Sequence, residues 1–131
     1  MTQIQQHQLI KSLSHEIGAQ IPLVDGAAVI KFNDDEELWL EVPKNGKLLI
    51  LHTAICPISS LGVNCKRLES VLELNSSLDV LKCGWLGFHT LTNTLRYFMA
   101  LPVDLTTADV LIGIMKDCKD IKKNIDEILV L

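Results

Sequence analysis

The residues with the most obvious reactive potential are Cys83 and His89, six positions apart. A thiol becomes a useful nucleophile when a neighbouring base takes its proton. No activating motif surrounds this pair. His7 and His15 lie eight apart and could share one helix face. Neither has an acidic or cysteine partner at metal-ligand spacing, so both read as surface histidines. His52 sits among Leu and Ile and reads as a half-buried, hydrogen-bonded histidine. Gly84-Trp85-Leu86-Gly87 has too few glycines for a phosphate loop, and no Lys-Ser/Thr follows it. Asp34-Asp35-Glu36-Glu37 lacks the spaced oxygens and the glycine of a calcium loop and reads as a solvated turn. The expectation is a protein with no catalytic residues, no metal and no cofactor.

Composition narrows the class of protein. The chain has 131 residues, 12 Lys+Arg against 16 Asp+Glu, and a formal net charge of -4. That length fits one domain, 1–131. Hydrophobic residues make up 48%, and 44 residues are Leu, Ile or Val, which excludes intrinsic disorder. A compact monomer of this size exposes about 6,900 Å² and cannot hide so many aliphatic side chains. An exposed apolar patch, and with it a protein partner, is expected. The densest basic stretch, Lys116 to Lys123, alternates with Asp117 and Asp120. Nucleic acid wants a stripe of one sign, so it is not an expected partner. The N-terminus lacks the basic start and apolar run of a signal peptide, and no run approaches the roughly 18 apolar residues of a membrane span. Cys56, Cys65, Cys83 and Cys118 contain no Cys-x-x-Cys and read as reduced, small hydrophobes. Cytoplasm is the expected compartment.

The elements that would carry these residues follow from periodicity and punctuation. Thr2 and Gln5 resemble a capping box, Leu9, Ile10, Leu13 and Ile17 repeat at helical spacing, and Gly18 is a stop. Three strand-like runs come next: Ala27 to Phe32, Leu38 to Val42 and Lys47 to Ile55. The turns between them are Asn33 to Glu36 and Pro43-Lys44-Asn45-Gly46. Short connections favour an antiparallel meander. Pro57 to Val63 reads as loop. Asn64 can cap a second helix carrying Leu68, Val71, Leu72 and Leu74, ending at Asn75-Ser76-Ser77. Leu78, Val80 and Leu81 either extend that helix or begin the next strand. Two strands follow, Gly84 to Thr90 and Thr94 to Leu101. Thr106 or Thr107 caps the last helix, whose seam is Leu111, Ile114, Cys118, Ile121, Ile125 and Ile128, widened by Ile112, Met115 and Leu129. The reading is a two-layer α+β domain, order α-β-β-β-α-β-β-α, with an antiparallel sheet of about five strands.

Several stretches carry a family likeness. Val71-Leu72-Glu73-Leu74-Asn75 is similar to a Leu-Leu-x-x-Asn stretch, and the glycine-bearing strand Gly84-Trp85-Leu86-Gly87-Phe88 follows it. The apolar strand Leu95 to Leu101, a short break and a final amphipathic helix complete the pattern. Over nearly the whole chain this order, with the length and acidity, resembles the class I type III secretion chaperones, the family of the Tir chaperone. The resemblance implies a cytoplasmic homodimer that binds the N-terminal region of a secreted effector in extended form and keeps it secretion-competent without cofactor. It also places the second helix and adjacent strand at the two-fold contact, which gives Leu68, Leu72 and Trp85 as interface residues. Two alternatives stay open: an adaptor or structural subunit of another assembly with the same fold, and a small enzyme using Cys83 and His89.

The partner surface is expected on the sheet. All three early strands carry apolar residues on both faces, whereas a sheet face that meets only water should be polar. Trp39, Leu49 and Leu51, with Leu9 and Leu13 from the first helix, are therefore expected to line a groove for an extended effector segment.

Overall fold

The structure, a computed structural model, describes residues 2–31, 36–44, 47–62 and 65–130. Helix α1 spans Thr2–Ile17, followed by strands β1 Ala27–Lys31, β2 Glu37–Glu41 and β3 Leu48–Pro57. A 3-10 turn, Ile58–Leu61, leads to α2 Cys65–Leu74 and the single-turn α3 Leu78–Leu81. Strands β4 Trp85–His89 and β5 Thr94–Pro102, a second 3-10 turn Val103–Leu105 and helix α4 Ala108–Leu129 complete the chain. The expected end of the first strand at Phe32, the turns through Asn33 to Asp35 and at Asn45-Gly46, and the Asn64 cap lie outside the described residues, as does the Thr2 side chain.

The five strands form one antiparallel sheet in the order β1-β2-β3-β5-β4, confirming the α+β layering. Two elements depart from expectation. Leu78, Val80 and Leu81 neither prolong the second helix nor open a strand. The chain breaks after Leu74, makes one separate turn, and then passes through left-handed Lys82 (φ 52) and Cys83 (φ 73). Within Pro57 to Val63, Pro57 still pairs with Thr94, and Ile58–Leu61 curls inward to bury Leu61.

Strand pairing fixes which side chains meet the helices. Leu40 stands opposite Ala28 and Leu51, and Leu51 opposite Met99. Residues directly opposite share a face, so this set, with Ile30, Leu38, Leu49 and Tyr97, makes the inner face. Leu9, Ile10 and Leu13 of α1 join the same buried core. A register shift between Ala54 and Cys56 then lets Ile55 and Cys56, adjacent in sequence, both bury. The expected groove is corrected here: Leu9, Leu13, Leu49 and Leu51 are core residues, closed off within this chain. Trp39 pairs with His52 and therefore points away from them. Alternation was readable along each strand, but the register that joins one strand's faces to the next was not.

Helix α4 covers the inner face with Leu111, Met115, Cys118, Ile121, Ile125 and Leu129. That stripe advances by 4, 3, 3, 4 and 4 residues, following the 3.6-residue turn of a straight helix. The expected seam, by contrast, drifted towards a coiled-coil repeat, so Ile114 is only half-buried and Ile128 is exposed. Thr107 is the cap, its hydroxyl accepting from Val110 N–H at 3.3 Å. Arg67 of α2 fastens the far end, donating to the carbonyls of Ser60 (2.6 Å) and Val130 (3.1 Å). The accessible surface is 8176 Å², above the roughly 6,900 Å² of a compact monomer. This chain leaves more surface uncovered than its size requires.

Candidate partner-binding surfaces

No helix among the described residues lies over the outer sheet face. One transverse row crosses four strands: Trp39 opposite His52, His52 opposite Phe98, and Phe98 opposite Trp85. Ring centroids along that row are 5.3, 5.0 and 5.6 Å apart, the last pair stacked at 9°. His89 adds a ring 5.3 Å from His52 and 5.9 Å from Trp39. Gly87 makes the row possible, because a Cβ there would come within 3.2 Å of the Phe98 ring. On the opposite face a Cβ at Gly84 would run into the Tyr97 ring, whose hydroxyl donates to the Leu81 carbonyl. The two glycines in Gly84-Trp85-Leu86-Gly87 thus seat aromatic rings on both sides of the sheet.

Beneath the rings lies Arg96, only 2% exposed, with its guanidinium 5.1 Å from the Trp39 ring centre. A cation over an indole face is favourable, more so when removed from water. Arg96 Nε donates to His52 Nδ1 at 2.7 Å. The imidazole proton therefore sits on Nε2, 3.2 Å from a Glu41 carboxylate oxygen but poorly aligned for a hydrogen bond. Burial, then Arg96 and His89, push the His52 pKa down to about 3. These outweigh the partly exposed Glu41, and His52 is neutral. Burial likewise lowers the Arg96 pKa, with Glu37 and Glu41 opposing the shift. Trp39 Nε1 donates to Glu37 at 3.0 Å. The centre of this face keeps two buried donors, His52 Nε2 and Arg96 Nη2, without a hydrogen-bond partner among the described residues, and apolar contact area lies at its margin around Trp85 and Phe98.

The two sheet edges differ. At β1, Val24 and Ala27 exchange backbone hydrogen bonds of 2.8 and 3.0 Å, while Gly26 accepts from Val42. Ala27 therefore faces outward, and by antiparallel alternation so do the backbone groups of Val29 and Lys31. Both residues are exposed, and nothing among the described residues bonds those groups. At β4 the edge is occupied at Leu86, while Phe88, next in the alternation, has no such partner among the described residues. The Asn75 side chain accepts from Leu86 N–H at 2.6 Å and donates to Leu86 carbonyl at 3.1 Å, as a neighbouring strand would. Residue 75 closes the Leu-Leu-x-x-Asn-like stretch, but only the folded chain reveals this role.

Helix α1 and the segment leading to β1 enclose an open groove of ≈ 630 Å³. Ile10, Ile21 and Leu23 supply apolar lining, and His7, Lys11 and His15 stand along one helix face. Sequence reading missed this groove, since its second wall is an irregular segment with no periodicity.

Of the residues expected to contact a second copy, Leu68 is 40%, Leu72 63% and Trp85 41% exposed. The Asn75 bond to Leu86 brings the end of α2 beside Trp85. Cys83 and His89 are not brought together. The extended β4 lies between them, and its four steps from Trp85 to His89 alone span roughly 13 Å. His89 Nδ1 is engaged by Thr92 Oγ1 at 2.7 Å. Among the described residues no group of three or more His, Cys, Asp or Glu could hold a metal ion. No helix among them is long and apolar enough to cross a membrane.

No protein-family model and no curated protein sequence matches the chain. Its fold does match solved structures. The HopA1-SchA chaperone-effector complex aligns at TM-score 0.76 and 13% identity, over 95% of this chain and 94% of that one. The Yersinia pestis type III secretion chaperone SycH, in complex with a stable fragment of YscM2, aligns at TM-score 0.67 and 14% identity, over 90% and 97%. An uncharacterized protein from Methanothermobacter thermautotrophicus aligns at TM-score 0.65 and 14% identity, over 94% and 95%. At these identities the likeness is one of fold: the chain has the α+β fold seen in those chaperone structures.

Proposed function

We propose that this protein is a cytoplasmic type III secretion chaperone that holds the N-terminal region of a secreted effector in extended form and keeps it stable and secretion-competent. The observations that carry this reading are the open backbone of Val29 and Lys31 on β1, against Leu86 of β4 clamped by Asn75, and an apolar groove lined by α1 and the segment that enters β1. An extended segment gains backbone hydrogen bonds from such an edge and anchors alternate side chains in the groove. Two structures with this fold, one a chaperone-effector complex and one a type III secretion chaperone with a bound fragment, support it. The work is binding, without a catalytic step or cofactor. The protein acts as a homodimer joined through Leu68, Leu72 and Trp85, and Trp39 is the one residue of the expected partner set still on an accessible face.

A second reading, an adaptor in another assembly, draws on the same fold in the uncharacterized Methanothermobacter protein. Purification from the native host separates the two. The first reading expects a co-purified secreted protein whose bound region maps to its N-terminal segment and is lost on secretion. A constant stoichiometric partner that is never exported favours the adaptor.

A further inference from the structure

Within the proposed groove, charge is distributed against the trend of the chain. The protein carries a net charge of -4, yet none of the described residues lining this groove is acidic. His7, Lys11 and His15 are all exposed and recur every four residues, which stacks them along one stripe of α1. A helix rises about 1.5 Å per residue, so successive members of the stripe stand about 6 Å apart along its axis. An extended chain repeats its side chains on one face every two residues, about 6.7 Å. Three basic or hydrogen-bond-donating groups on α1 are thus close to register with residues i, i+2 and i+4 of a strand laid along the groove. The intervening residues of that strand point the other way, towards Ile21 and Leu23 on the second wall.

From this we infer that the groove selects an extended partner segment in which acidic residues alternate with apolar ones, the carboxylates meeting His7, Lys11 and His15 and the apolar side chains entering the groove. The inference rests on the reading of this surface as the partner site and adds the chemistry of what it takes. Each imidazole offers an N–H donor and Lys11 a full charge, so the stripe recognises carboxylates and repels ammonium groups.

The test uses three labelled nine-residue peptides: alternating Ile and Glu, the same with Lys for Glu, and the first composition with its glutamates bunched together. Binding is read by fluorescence anisotropy at low and at moderate salt. The alternating acidic peptide should bind roughly tenfold tighter than its lysine twin and a few-fold tighter than the bunched peptide, with salt narrowing both gaps. Lys11→Glu should erase the preference for acid. Lys123→Glu, on the solvent side of α4, changes net charge equally and should leave it within about twofold. Equal binding of the acidic and lysine peptides, or an equal effect of the two substitutions, overturns the selectivity while leaving a partner groove in place. Equal binding of the alternating and bunched peptides overturns the register. If no peptide binds, both the selectivity and the groove as partner site fall.

Discussion

Arg96 Nε and His52 Nδ1 lie 2.7 Å apart on a sheet face that no helix among the described residues covers, and burial, with the charge of Arg96 behind it, keeps the imidazole neutral. The consequence is a pH dependence of defined sign. The folded pKa, about 3, lies below the ordinary 6.5, so the unfolded chain binds the proton more readily. Stability should be complete above pH 6.5 and fall, by at most about 1.4 kcal/mol per pH unit, as the pH drops towards 3. Asp126 acts the other way, since burial raises its carboxyl pKa. His52→Gln keeps an acceptor for Arg96 but cannot titrate. Urea midpoints between pH 7 and 4 should fall less in that variant than in the parent, and parallel curves would count against a neutral His52.

Asn75 makes a second, separable prediction. Its side chain is the only described group bonded to the outward backbone of Leu86. Asn75→Ala should cost about 1–2 kcal/mol and speed hydrogen exchange at the Leu86 amide. With the edge uncovered, light scattering should also show concentration-dependent association beyond the parent's mass. A variant that loses stability without associating would mean that other groups guard this edge.

The proposed dimer is tested at α2. Leu68 and Leu72 are exposed within one chain, so replacing both with Asp should cost the isolated fold little, within about 0.5–1 kcal/mol. The parent should run as a dimer at micromolar concentration and the double variant as a monomer with unchanged helical content. A monomeric parent removes this interface.

Leu49 and Trp39, one expected surface in the sequence, should respond differently. Leu49 is fully buried, and Leu49→Ala should cost about 2–5 kcal/mol. Trp39→Phe keeps a ring beside His52 and gives up the indole bond to Glu37, for a cost of about 1 kcal/mol or less. Denaturation midpoints measure both, and similar losses would contradict their assignment to opposite faces.

The order of elements was legible because each is built from local signals. Gly18 stops α1 in a left-handed turn (φ 71), Thr107 caps α4, and the short connections of the meander force antiparallel neighbours. Relations between strands were not legible. Trp39 and Leu49 share a face only under a register that the folded sheet does not adopt. The row Trp39, His52, Phe98 and Trp85 draws one residue from each of four strands, so no single stretch announces it. Its one local trace is Gly87, two positions from Trp85, which by itself reads as a poor phosphate loop or as a glycine in a strand and names no aromatic partner. The α4 stripe differed for a smaller reason: aliphatic residues at 114 and 115, and again at 128 and 129, allowed two seams, and packing on the sheet chose the straighter one.

The clamped β4 edge has a consequence best put in the language of polymer chemistry. A sheet with two reactive edges is a bifunctional monomer, and such monomers grow stepwise into chains without limit. Asn75 caps one end group with a side chain that spans a single residue of the strand, Leu86. What remains is close to a monofunctional unit, for which the first strand to pair is also a chain stopper. A single copy is thereby held close to a valence of one, and the proposed dimer to two.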